Sequence, residues 1–321
     1  MKRSIISIAA LALALLVFGE MLNPTGYAIR VLCLVVLAAC LGQSWNIVGG
    51  LANQISLGHA AFFGIGAYTS TILQVRWGLS PWLGMPMGML LAALMALLLS
   101  IPTMRLKGPY FALATLAFGE ACRIVATSWP SMTGGPQGIS IPFLGNSWAM
   151  LQFRGAGSYL PVLVGLLSVT SIVFALMSSG RMGYYLRAIR ENEDAAEMAG
   201  VNTLKVKLIG SMVSAALTAA AGVLFAQFTF FFDPDSVFSV AGISIRAALI
   251  AIVGGVGTLT GPVIGALVVV LIEEVLSAYL SNRAAGVAPF TFGVVLILIV
   301  LLRPRGLASI LPALRGVGAK Q

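Results

Sequence analysis

The chain has 321 residues, of which 59% are hydrophobic and only 9% charged, and its mean hydropathy is +0.99. Soluble domains carry about 25% charged residues, so a water-soluble fold is excluded and an integral membrane protein is indicated. The net charge of +9 does not point to nucleic acid, because the Lys and Arg residues sit at the ends of apolar runs and form no patch interleaved with aromatics.

Apolar runs of about 17–25 residues are long enough to cross a bilayer. In chain order they fall near 4–20, 28–48, 58–75, 82–102, 109–128, 159–178, 206–230, 243–256, 263–281 and 288–302. The fold class expected is therefore all-α, a polytopic bundle of about ten spans, read as one domain over 1–321. The first run follows Lys2 and Arg3 and has the outline of a signal peptide. A second span follows almost at once with no small-residue cleavage site between, so it reads as an uncleaved first helix. Cys33, Cys40 and Cys122 lie within apolar runs, which indicates packing and neither a disulfide framework nor a metal site.

Loops that collect Lys and Arg are expected on the cytoplasmic side. With the N-terminus inside, the inner segments hold Lys2, Arg3, Arg105, Lys107, Arg181, Arg187, Arg190, Lys205, Lys207, Arg303, Arg305, Arg315 and Lys320, and the outer ends only Arg30, Arg76, Arg154 and Arg283. This asymmetry predicts both termini in the cytoplasm. The longest outer connection, 129–158, is rich in Gly, Pro and Ser and predicts a loop with a short interfacial helix. "GG" pairs at Gly49–Gly50 and Gly254–Gly255, each just before a new span, hint at internal duplication.

Enzyme motifs are absent: there is no G-x-x-x-x-G-K-[ST], no G-x-S-x-G, and the lone His59 rules out H-E-x-x-H. "GGVGTLTG" at 254–261 lies between two spans and reads as a helix-breaking turn. The stretch 49–70, "GGLANQISLGHAAFFGIGAYTS", carries Asn53, Gln54, Ser56 and His59 at or near membrane depth among glycines. Non-helical backbone is tolerated there when it is buried in protein or lines a watery cavity. Both a translocation pathway and a tightly packed Gly-rich helix fit these residues.

Ionisable side chains inside spans cost about 2.5–3.5 kcal/mol each at the bilayer centre. Glu120 and Arg123, at i and i+3, can neutralise each other, and Arg246 with Glu273 and Glu274 suggests an interhelical pair. Structural pairing is the expected role, proton coupling the alternative.

The one dense charged stretch is "RAIRENEDAAEMAGVNTLKVK", 187–207. Asn192 suits an N-cap, Glu193 and Asp194 put negative charge in a first turn, Gly200 suits a left-handed stop, and Thr203 can cap the next span. A helix of about seven residues results, with Arg187 and Arg190 upstream and an uncharged face of Ala195, Ala196, Met198 and Ala199. Two caps and a small-residue face point to docking against a partner, where a solvated loop needs neither.

"DAAEMAG" at 194–200 resembles the E-A-A-x-x-x-G coupling motif of ABC importer permeases, with Asp194 at the Glu position and Ala195, Ala196 and Gly200 in register. The proline-containing second half of that motif is missing, a shortened form common in the branched-chain amino acid subgroup. "NQISLGHAAFFGIGAYTS" (53–70), "GPYFALATLAFGE" (108–120) and "TGGPQGI" (133–139) look like LivM-type permeases of branched-chain amino acid importers, and the likeness runs from about 30 to 305.

That resemblance implies a permease in a bacterial inner membrane that carries leucine, isoleucine and valine. It implies a LivH-like sister permease, two ATP-binding subunits (LivG/LivF-like) and a periplasmic substrate-binding protein, with ATP and Mg bound by the ATPase subunits and no cofactor or metal in this chain. By the match, 183–203 is the loop that seats in the ATPase, through Arg187, Arg190, Asp194, Ala195, Ala196, Met198, Ala199 and Gly200. Related permeases serve urea, amides or aromatic acids. An ion-coupled carrier and a channel are the competing classes.

Overall fold

A computed structural model describes residues 2–23, 26–103, 106, 108–280, 287–303 and 306–310. Arg105, Lys107, Arg283, Arg305, Arg315 and Lys320, used in the topology argument, lie outside the described residues. Helices run in the order α1 (Lys2–Glu20), α2 (Tyr27–Trp45), α3 (His59–Trp77), α4 (Pro81–Thr103), α5 (Pro109–Thr127), the one-turn α6 (Pro130–Thr133), α7 (Leu160–Ser179), α8 (Arg181–Glu191), α9 (Glu193–Met198), α10 (Thr203–Thr229), the one-turn α11 (Pro234–Val237), α12 (Arg246–Gly254), α13 (Gly261–Leu280) and α14 (Val287–Leu302). Each of the ten expected runs has a helix within a few residues of it. Among the described residues, seven apolar stretches are long enough to cross a membrane by length and composition. α3 has the length but carries Thr69, Ser70, Thr71, Gln74 and Arg76, and the apolar stretches of α1 and α14, Ser4–Glu20 and Phe290–Ile299, are shorter.

The centre of the bundle is α2, buried along nearly its whole length and enclosed by α7, α10, α12 and α13. Around it the helices approach closely because their facing residues are small. A Cβ on Gly66 would stand 2.2 Å from the Ala219 carbonyl oxygen of α10, and one on Gly222 2.1 Å from that of Phe63 on α3. Close backbone approach of this kind is how helices gain contact where lipid offers no hydrophobic drive. α4 divides the same way: Gly84, Gly88, Ala92, Ala96 and Ser100 are buried at every fourth position, while Leu83, Met87, Leu90, Leu94 and Leu98 are exposed. Large apolar side chains outside and small ones inside make a surface suited to lipid, not to water.

The long connection 129–158 is more ordered than its composition predicts. Beyond α6 it forms a two-residue strand, β1 (Ile139–Ser140), paired antiparallel with β2 (Phe231–Phe232), a small departure from the all-α expectation. Gly138, at φ +71°, makes the approach possible, since a Cβ there would lie 2.3 Å from the Phe232 carbonyl oxygen. The buried Tyr159 hydroxyl, 2.9 Å from the Gln227 carbonyl and 3.1 Å from that of Leu151, ties the connection to the end of α10.

Residues 255–260 form the expected turn between α12 and α13, and Gly254 and Gly265 let the two helices touch through backbone atoms. Gly222→Val should therefore cost about 1–3 kcal/mol by overpacking and lower the thermal midpoint in detergent. Gly165→Ala, where a Cβ meets nothing within 4 Å, should leave the midpoint unchanged.

Candidate functional site

The expected irregularity in 49–70 is a break between α2 and α3. α2 passes into a π-helical turn at Asn46–Gly50, and residues 53–58 leave helical geometry altogether. Asn53 takes φ +53°, a left-handed conformation that Asn tolerates better than most residues. Unpaired backbone groups inside a membrane cost several kcal/mol each, so the partners of this stretch define the site.

Those partners come from four elements. The Gln54 amide returns to the Val48 carbonyl at 3.3 Å. The Leu57 amide donates to Thr115 Oγ1 of α5 at 3.0 Å, and the Trp45 indole donates to the Ser56 carbonyl at 2.9 Å. Arg190 of α8 donates through Nη1 to the Gly50 carbonyl at 3.1 Å. Asn46 bridges to the α12–α13 turn: its amide nitrogen donates to the Thr258 carbonyl at 2.9 Å, and its oxygen accepts from the Gly257 amide at 2.8 Å. Gly50, from the first glycine pair noted in the sequence, thus meets the turn that follows the second, a Cβ on Gly50 falling 2.8 Å from the Gly257 nitrogen.

The four polar residues of the stretch separate. Asn53 is exposed and Gln54 half-buried, and both line a cavity of about 480 Å³. Ser56 and His59 are buried and border only a void of about 10 Å³, room for one water. His59 Nε2 lies 2.9 Å from Ser214 Oγ, and that hydroxyl donates its single proton to the Ser44 carbonyl at 2.7 Å. Nε2 therefore carries the imidazole proton and donates. In this conformation His59 ties α3 to α10 and α2.

Each intramembrane carboxylate has a partner. Glu120 accepts from Arg123 Nε at 3.0 and 3.1 Å, and Arg123 Nη1 also donates to Asp235 Oδ1 at 2.6 Å, a partner the spacing argument missed because it comes from the distant α11. Arg246 pairs with Glu273 at 2.7 Å across α12 and α13. Glu274 does not join them: it accepts the hydroxyl of Tyr27 on α2, because consecutive helix positions point about 100° apart.

The segment 187–203 is built much as expected at its centre and differently at its edges. Asn192 caps α9 by accepting from the Ala195 amide at 3.1 Å, and Gly200, at φ +86°, closes it with the Val201 amide on the Ala196 carbonyl at 3.0 Å. The cap of α10 is Asn202, which accepts from the Lys205 amide at 2.9 Å. Thr203 instead donates its hydroxyl to the Glu197 carboxylate. The alanine face divides: Ala196 is buried against the bundle, while Asp194, Ala195, Met198 and Ala199 are exposed, Met198 at 85%.

Arg187 and Arg190 belong to a helix that the sequence reading did not predict, α8. Its signal was legible, since Gly183, Leu186 and Ile189 recur at every third position and are the buried ones. Arg187 donates to the Ser178 carbonyl at 3.1 Å and lies over the Tyr184 ring. The buried Lys207 pairs with Glu193 across the start of α9.

Replacing Asn46 by Leu strands the Gly257 amide and the Thr258 carbonyl. A loss of about 1–3 kcal/mol follows for such a group, and hydrogen exchange of the 254–261 peptide should accelerate at least about fivefold while peptides of α4 stay unchanged.

Comparison with known proteins matches this architecture to one family. The profile described as "Branched-chain amino acid transport system / permease component" covers residues 27–302. The LivM permease protein of the high-affinity branched-chain amino acid transport system of Escherichia coli K12 is 32% identical over 289 residues, 83% of this chain and 66% of that protein. The LivH permease protein of Salmonella typhimurium is 26% identical over 283 residues, 84% and 90% of the two chains. The probable LivM permease of Methanocaldococcus jannaschii is 26% identical over 285 residues, 81% and 80%. This chain spans 66% of the length of the Escherichia coli LivM relative. It belongs to the family of branched-chain amino acid transport system permease components, which are multi-pass membrane proteins.

Proposed function

We propose that the chain is one of two membrane-spanning permease subunits of an ATP-driven importer in a bacterial inner membrane, carrying leucine, isoleucine or valine delivered by a periplasmic binding protein. Ten spans put both termini, the α8–α9 segment and its basic residues in the cytoplasm, as the Lys and Arg asymmetry requires. The sister subunit is LivH-like, and ATP with Mg is bound and hydrolysed on two separate ATPase subunits. The relatives' names supply the substrate class.

The observation that carries the reading is the mounting of α9. Its exposed residues Ala195, Met198 and Ala199, at i, i+3 and i+4, form an uncharged strip that is small apart from one flexible Met and is flanked by the exposed Asp194 and Glu197, and it stands between two caps next to a helix that reaches the broken span through Arg190. Six residues cannot hold a helix alone, so this geometry serves a contact. Seated in a groove of an ATPase subunit, α9 would move with that subunit, and α8 would carry the movement to Gly50. Asn53 and Gln54 then belong to the pathway, with Ser56, His59 and Glu120 holding its wall. Transport driven by a proton gradient is disfavoured by the ion pairs of Glu120 and Glu273, since a proton relay needs a carboxylate that can exchange its proton freely.

Ala196→Glu would bury a carboxylate and test folding alone, whereas Met198→Glu and Ala199→Glu test docking. Both should abolish leucine uptake and copurification of the ATPase subunits with membrane insertion unchanged. Uptake that survives both substitutions contradicts the docking role, and uptake that stops on collapse of the proton gradient with ATP maintained favours the ion-coupled class.

A further inference from the structure

The 480 Å³ cavity lies between the broken stretch, the N-terminus of α5, the α8–α9 junction and the start of α10. Its size and makeup suit a small molecule: binding clefts run about 300–1,000 Å³, with apolar walls and a few convergent polar groups. Ile55, Phe111 and Ala112 supply apolar wall, and Asn53, Gln54, Arg190, Glu193 and Lys207 supply the polar groups. Lys207 is 2% exposed and Glu193 21%. A buried ion pair gains little over apolar packing of equal volume, so stability does not explain its place in this wall.

The charges fit one kind of guest. Among the described lining residues, Arg190 and Lys207 against Glu193 leave one positive charge over, and the first turn of the 19-residue α5 turns its positive end to the same space. Arg190 commits Nη1 to Gly50, and a guanidinium has five N–H donors, of which a carboxylate takes two. Glu193 and the side-chain oxygens of Asn53 and Gln54 can accept from an ammonium. The Gln54 oxygen is buried without a partner among the described residues.

We propose that this cavity is a substrate site of the permease, a station on the inner side of the break. It binds an α-amino acid as its zwitterion, carboxylate toward Arg190 and the α5 N-terminus, ammonium toward Glu193 and the two amides, apolar side chain against Ile55, Phe111 and Ala112. The inference rests on the permease reading and adds the residues that meet the substrate. It also sets the site against Glu193, the first residue of α9, so occupancy and docking share one wall.

The test uses the assembled importer in lipid nanodiscs, without nucleotide or binding protein, and measures retention of radiolabelled leucine by scintillation proximity. Wild type should retain leucine saturably, with isoleucine and valine competing. Ala112→Trp, which fills the cavity, should weaken retention at least about tenfold and Gly165→Ala, away from the cavity, less than about twofold. Ile55→Trp, in the irregular stretch, gives a second filling variant should Ala112→Trp not assemble. Retention unchanged in the filled variant overturns the site, and retention of urea in place of leucine overturns the zwitterion assignment. Leucine uptake by the wild-type importer in the same lipids separates the two levels: uptake without retention contradicts the cavity site alone, and absence of both contradicts the permease reading.

Discussion

A backbone that leaves helical geometry inside a membrane must find a partner for every amide and carbonyl it frees. That constraint organises this protein around residues 46–58. The π-helical turn and the extended stretch after it are supported by Trp45 from the same helix, Thr115 from α5, Arg190 from α8 and the Gly257–Thr258 turn through Asn46. The support is distributed, so a shift in any of these elements is felt at the break. Packed interiors transmit strain of this kind because they are dense and bistable, not softly elastic.

The link to α8 gives the break its functional weight. Gly183 sits so close to the end of α7 that a Cβ would meet the Ser178 carbonyl oxygen at 2.4 Å, and Leu186 and Ile189 are buried against the bundle. α8 is thereby fixed along one face, with its charged end at Gly50. α9 follows after a single residue, Asn192, whose extended backbone turns the chain. On the proposed reading, force applied to α9 has a short and stiff route to Asn53, and the energy comes from differential contacts with the ATPase in its two states.

Much of this was legible in the sequence. Run length located the helices, and Asn192 and Gly200 marked both ends of α9 by their chemistry. What escaped was long-range. Asp235 beside Arg123 and Tyr27 beside Glu274 join residues 112 and 247 positions apart, which no local spacing encodes. Ala196 looked like part of an outward face because neighbouring alanines are chemically identical, and only packing against Leu186 and Ile189 in one cluster distinguishes it. Of the polar residues in 53–59, periodicity could not say which meet the cavity, since the chain there has no period. The third-position signal of α8, Gly183, Leu186 and Ile189, was legible, but it is set among charged residues that have the composition of a loop.

The most direct measurement of the account follows the break while the proposed ATPase partner changes state. With Cys33, Cys40 and Cys122 replaced, Asn53→Cys in the assembled importer can be alkylated with and without nucleotide trapped on the ATPase subunits. A change in rate of at least about fivefold between the two states, in line with ordinary coupling energies, that disappears when Arg190→Met is added is the predicted result. The same change persisting with Arg190→Met would contradict the claim that α8 grips the broken helix through Gly50.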